Sequence, residues 1–217
     1  DVVVAISGEE IATIGPRSKV EAAYDLSGAE RIDAGGGLVM PGFVDCHTHL
    51  VFHGSRVDEY AHKVRGADAD ELRRLGIPTG ITATAGMLRD ASHDQLVESG
   101  IERLQHMLAF GTTTVESKSG YGLSTAAELK MLEVNRTLDG LQPIEVVGTF
   151  LGAHEFPDDK SRDAYIDEIV EEMIPAVAER KLAEYNDVYC DDGYYTVEES
   201  RRILEAGLAH GLMIKIH

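Results

Sequence analysis

His47 and His49 flank a single residue in Pro41-Gly42-Phe43-Val44-Asp45-Cys46-His47-Thr48-His49. Side chains alternate across a strand, so both imidazoles lie on one face, one pleat apart. At the end of the apolar run 37–44, read as a buried strand, they are placed to grip one metal ion. Zinc, nickel and iron(II) all accept imidazole nitrogen, so the spacing names a ligand type and not a metal. An isolated His-x-His is as readily a surface or core pair. What favours a metal here is His217, which closes a second such run, Ile214-Lys215-Ile216-His217.

Other residues able to do chemistry stand where further strands should end. Arg56 follows the histidine pair, Tyr121 sits in Lys118-Ser119-Gly120-Tyr121-Gly122, and His154 closes Gly152-Ala153-His154. Cys190-Asp191-Asp192 ends another run. Each has a plainer reading. Arg56 has Asp58 and Glu59 to pair with, Tyr121 could cap a core, and His154 could donate to a backbone carbonyl. Glu116 and Lys118 could form a buried pair, and Asp191 and Asp192 could cap the following helix.

The elements that must position these groups divide the chain into 1–40 and 41–217. The first part reads as short strands with tight turns, a small β module without helices, closed by the hinge Ala34-Gly35-Gly36-Gly37. Beyond it, strand candidates at 42–49, 112–117, 144–151, 187–190 and 212–217 are largely apolar or β-branched, as in strands covered on both faces. Helices lie between them. Ser92 opens one that Gly111 closes, with Gly100 inside it costing about 1 kcal/mol against alanine. Thr125-Ala126-Ala127-Glu128 and Thr196-Val197-Glu198-Glu199 fit the capping box, and a helix over 162–178 should kink at Pro175. Alternating strands and helices predict a parallel α/β domain, either a doubly wound open sheet or a (β/α)8 barrel. No glycine-rich phosphate loop supports the former. A complete barrel takes about 250 residues, so five strands read as the first part of one.

The 217 residues, 43% hydrophobic and 27% charged, suit a globular protein. A formal charge of −18 argues against nucleic-acid and anionic-membrane partners. No run reaches the ~18 apolar residues of a membrane span, and the first residues lack a basic leader. Two cysteines and nine histidines suit a reducing cytoplasm. Both ends read as cut from a longer chain.

Residues 41–52, Pro-Gly-Phe-Val-Asp-Cys-His-Thr-His-Leu-Val-Phe, resemble the amidohydrolase superfamily signature. Gly54-Ser55-Arg56, Lys118-Ser119-Gly120-Tyr121-Gly122-Leu123, Glu128-Leu129-Lys130-Met131-Leu132 and Phe150-Leu151-Gly152-Ala153-His154 are similar to the imidazolonepropionases of histidine degradation. That resemblance implies a (β/α)8 TIM-type barrel with a small β-sandwich, and a homodimer. It implies one divalent Zn or Fe ion held by His47, His49 and His217, completed by an aspartate of a strand beyond these residues. Two-metal relatives carry a carboxylated lysine where this chain has Cys190-Asp191-Asp192, so one ion is expected. It implies that Arg56, Tyr121 and His154 contact a small anionic heterocycle, an imidazolone bearing a propionate, hydrolysed at its cyclic amide C–N bond to N-formimidoyl-L-glutamate. The general acid and base are expected after His217. One segment departs from the family: Gly76-Ile77-Pro78-Thr79-Gly80-Ile81-Thr82-Ala83-Thr84-Ala85-Gly86-Met87-Leu88-Arg89 replaces a stretch with two arginines, leaving Gly86 at the first. Another cyclic amide, or deamination of a ring amidine, is therefore the second reading. A metal-free scaffold barrel is the third.

Overall fold

A computed structural model describes residues 2–217, and the chain divides between Pro41 and Gly42 into two compact units. In the first, β1 (Val2–Ser7) and β2 (Glu10–Pro16) pair antiparallel around a turn at Gly8, whose φ is +62°. The expectation of a unit without helices is overturned. Helix α1 (Arg17–Ala23) follows Pro16 directly, with Val20 as its buried anchor. Its Lys, Glu and Ala residues are strong helix formers, and the short apolar period hides behind the strand that precedes it.

The second unit is built on a five-stranded sheet in the order β3 (Phe43–Thr48), β4 (Thr112–Lys118), β5 (Glu145–Ala153), β6 (Tyr185–Val188) and β7 (Met213–Ile214). All neighbours are parallel. The fourth strand begins two residues earlier than its apolar run suggests, at Tyr185. The fifth is shorter, although its pairing continues: Lys215 N–H donates to the Asn186 carbonyl and His217 N–H to that of Val188, each at 2.9 Å.

The expectation of strands apolar on both faces fails in an informative way. On β4, Val115 enters a hydrophobic cluster and Ser117 hydrogen-bonds Asn135, while Glu116 and Lys118 bond each other on the opposite side. Thr149, Asp187 and Lys215 join that second face. So one face packs against helices and the other carries a polar row. Likewise β3 is not buried: Phe43 and Val44 are 53% and 65% exposed, because β3 is an edge of the sheet.

Helices α2 (Val57–Val64), α3 (Ala69–Arg74) and α4 (Gly80–Asp90) occupy the connection after β3. Then α5 (His93–Ala109) starts at a complete Ser92–Gln95 capping box. Gly100 is explained by packing: a Cβ there would lie 2.6 Å from Leu138 on α6 (Thr125–Asp139). The capping box expected at Thr125 does not form. Ser124 takes the N-cap position without a side-chain bond, and Glu128 turns back to the loop before the helix. The run after Ser161 is α7 (Arg162–Glu168), a π turn over Ile169–Met173, and α8 (Ile174–Glu179). The break falls just ahead of Pro175, which has no N–H to continue the ladder. Finally α9 (Val197–Ala209) carries the expected Thr196–Glu199 box. Two apolar clusters fill the space between helices and sheet, one around Leu104, Val115 and Met131, the other around Phe150, Ile169 and Ile203. Among the described residues no helix is long and apolar enough to cross a membrane.

Candidate functional site

The five strands run parallel, so their C-terminal ends share one rim, where ligands bind in α/β proteins. His47 lies near the end of β3 and His49 just beyond it. The β3–β4 register shifts between Asp45 and Thr48, a bulge beside the two imidazoles. Thr48 secures the strand end by donating to the Glu116 carbonyl at 2.6 Å. Behind His49, Leu50 and Val51 are buried, and Arg103 donates to the Leu50 carbonyl while lying 3.6 Å above the Phe52 ring.

His217 arrives from beyond β7, at the other edge of the sheet. One nitrogen from each of His47, His49 and His217 lies within 4.8 Å of the others. The His47 and His217 rings are 4.6 Å apart between centroids. All the donors are imidazole nitrogens, and the His49 ring also has a buried Nδ1 without a hydrogen-bond partner. A borderline cation of the zinc or iron(II) type fits this set. The rings are also electrically ready. Burial, then His154, His217 and His47, hold His49 down at about 3. Burial and the neighbouring His217 and Lys118 likewise lower His47. Neutral imidazole is the ligating form.

Tyr121 and His154 line the same rim. The His154 ring stacks on His49 at 4.8 Å with 11° between planes, and Tyr121 lies 4.8 Å from His49. His154 does make the backbone bond foreseen as its plainer reading: Nδ1 donates to the Gly120 carbonyl at 3.1 Å. That bond leaves Nε2 as an acceptor, and burial holds the ring neutral, down at about 4. Gly120, at φ +109°, is required here, because a Cβ would come within 2.9 Å of both His154 Nδ1 and the Leu151 carbonyl. Burial raises the Tyr121 phenol above its ordinary value, with Arg56 acting in the opposite sense. It is therefore a hydrogen-bond donor at neutral pH.

Arg56 stands at the start of α2 and pairs with Glu59 at 3.3 Å, as its sequence neighbours allowed. Glu59 is only 4% exposed and also accepts from Lys63 and from Gly80 N–H. Asp191 and Asp192 do not cap α9; Thr196 does.

Sequence reasoning missed the roles of two carboxylates. Glu128, fully buried, accepts from the N–H groups of Gly120, Gly122 and Leu123 at 2.7–3.0 Å and so fixes the loop that presents Tyr121. Asp187, 1% exposed, bonds His217 Nδ1 at 3.1 Å and Lys118 Nζ at 2.8 Å. Lys118 also bonds Glu116, the buried pair weighed from the sequence, and Glu116 accepts from Thr149 and Lys215. Burial pushes the Glu116 carboxyl up, but bonds from Lys118, Lys215 and Thr149 more than offset it and hold it ionised.

No family model matches the chain. Curated relatives do, from end to end. An imidazolonepropionase of Haloarcula marismortui is 45% identical over 218 aligned residues, covering 100% of this chain and 51% of the relative. That of Brevibacillus brevis is 50% identical over 87% of this chain and 45% of the relative, and that of Geobacillus thermodenitrificans 48% identical over 95% and 49%. The chain is a homologue of the imidazolonepropionases. It spans about half the length of the curated relatives it matches. The alignment with the Haloarcula marismortui relative runs over the whole of this chain, the segment 76–89 and the rim residues included.

Proposed function

We propose that the full-length protein hydrolyses the cyclic amide of 4-imidazolone-5-propanoate, adding water across the ring C–N bond to give N-formimidoyl-L-glutamate. The observation that carries this is the meeting of three imidazoles beside Tyr121 and His154, in a chain homologous to imidazolonepropionases. On this reading His47, His49 and His217 hold one zinc or iron ion. Such an ion supplies Lewis acidity, polarising a carbonyl oxygen and lowering the pKa of water.

The remaining work belongs to this chain's side chains. Arg56 exchanges Glu59 for the propionate, since a guanidinium matches a carboxylate in geometry and charge. Tyr121 donates to a polar atom of the ring and His154 Nε2 accepts from a ring N–H, which orients the heterocycle against the triad. Around this rim the parallel sheet is read as part of a (β/α)8 barrel, and β1 and β2 as part of a small sandwich. A cytoplasmic homodimer acting on a small anionic heterocycle completes the proposal.

Purified full-length protein offered imidazolone propionate, hydantoins and aminated heterocycles decides the substrate. Turnover of the first, with release of formimidoyl-glutamate, is the expected result. Turnover of another ring with none of the first would transfer the assignment to a different cyclic amidohydrolase or a deaminase. Less than about half an equivalent of metal per chain, with no turnover, would favour a scaffold.

A further inference from the structure

We propose that Asp187, clamped by Lys118, is a positioning residue that fixes the tautomer of His217 and leaves Nε2 as its ligating nitrogen. This rests on the reading of His217 as a metal ligand. Asp187 Oδ2 lies 3.1 Å from His217 Nδ1. A carboxylate only accepts, so the ring proton must sit on Nδ1 and the free lone pair on Nε2.

The carboxylate cannot swing away. Its Oδ2 also accepts from Lys118 Nζ at 2.8 Å, and its Oδ1 from the Val188 N–H at 2.9 Å. Lys118 is held in turn by Glu116 at 2.8 Å, and Glu116 by Thr149 at 2.5 Å and Lys215 at 2.7 Å. Two carboxylates face two ammonium groups, so the row closes on itself with no surplus charge. The backbone of His217 is fixed as well: its N–H donates to Val188 at 2.9 Å and its carbonyl accepts from Cys190 at 3.0 Å. Both the root and the tip of the ring are thereby set. His49 differs, because its buried Nδ1 has no partner at all. Of the triad, His217 is the member whose ring is orientated by a charged group, and outer carboxylates of this kind commonly set ligand geometry and affinity.

The test begins on the metal-free, full-length wild type with nitrogen-15-labelled histidine. Long-range proton–nitrogen NMR, with His217 assigned through H217Q, is expected to report a proton on Nδ1. Because the same Oδ2 serves both Lys118 and the ring, D187A removes the acceptor altogether, and an Nε2–H signal should then appear. Zinc affinity, read by competition with a chromophoric chelator, should fall about 10–100-fold in D187A. A wild-type His217 protonated on Nε2, or wild-type affinity in a folded D187A, would overturn the proposal. If D187A does not fold, the wild-type spectrum decides alone. Failure of the wild type to take up zinc would instead overturn the hydrolase reading, since the tautomer is read without metal.

Discussion

Arg56 is partly neutralised before any substrate arrives, by a Glu59 carboxylate that also holds Lys63 and the first N–H of α4. Binding an anion there means exchanging one carboxylate for another, which leaves affinity to the better geometry. Charge-assisted hydrogen bonds contribute about 1.5–3 kcal/mol. Replacing Arg56 by alanine should therefore raise KM for an anionic heterocycle about 10–100-fold, with a smaller change in kcat. Steady-state kinetics with the propionate and with its uncharged amide check this, since the amide should hardly respond. The rim residues are legible in the sequence because chemistry needs rare residue types at strand ends. Asp187 is not, since its partner His217 lies 30 residues away and the residue itself looks like the opening of a strand.

At the scale of elements, two buried contacts stand out, one at the rim and one between α5 and α6. Glu128 belongs to α6 by position but serves the loop before it, accepting three backbone N–H groups that would otherwise be buried without partners. Changing it to glutamine replaces an acceptor by a donor facing those N–H groups, so stability should fall by about 2–3 kcal/mol, as urea unfolding would measure. The capping box read from Thr125 and Glu128 fails for this reason: the same carboxylate finds three donors in the loop and leaves the helix end. Gly100 makes a second test. Alanine there gains about 1 kcal/mol of helix propensity, yet overpacking against Leu138 costs typically 1–3 kcal/mol. The expected net result is a lower unfolding midpoint. Neither contact follows from local pattern, because both depend on which helix lies alongside. The short helices α2–α4 are hidden for a related cause: α3 buries only Leu72, too little to impose a period.

For the whole molecule, pH reports one long-range tie. Arg162 bonds Glu199 at 2.5 and 2.6 Å, joining α7 to α9, and holds the Glu199 carboxyl down at about 2. A carboxyl lowered by folding contributes stability above its ordinary value of 4.5, and that contribution is lost as pH falls from there toward 2. The stability difference between wild type and Arg162→Met should therefore be full at neutral pH and shrink progressively below 4.5, as denaturant titrations across pH would reveal. Withdrawal of metal by a chelator should lower the thermal midpoint of the full-length protein, because a ligand of the native state alone stabilises it by mass action.

The parallel order of the sheet is legible from alternating strands and helices, and Glu116 with Lys118 as a buried pair, while the rest of the polar face is not, since Thr149, Asp187 and Lys215 reach that pair from three other strand runs. The triad draws His47 and His49 from one border strand and His217 from the opposite border. Its members meet only after every intervening strand has taken its place, and such distant pairings close late. Cation capture during refolding would consequently act as a clock, marking the moment at which the last row of the sheet locks.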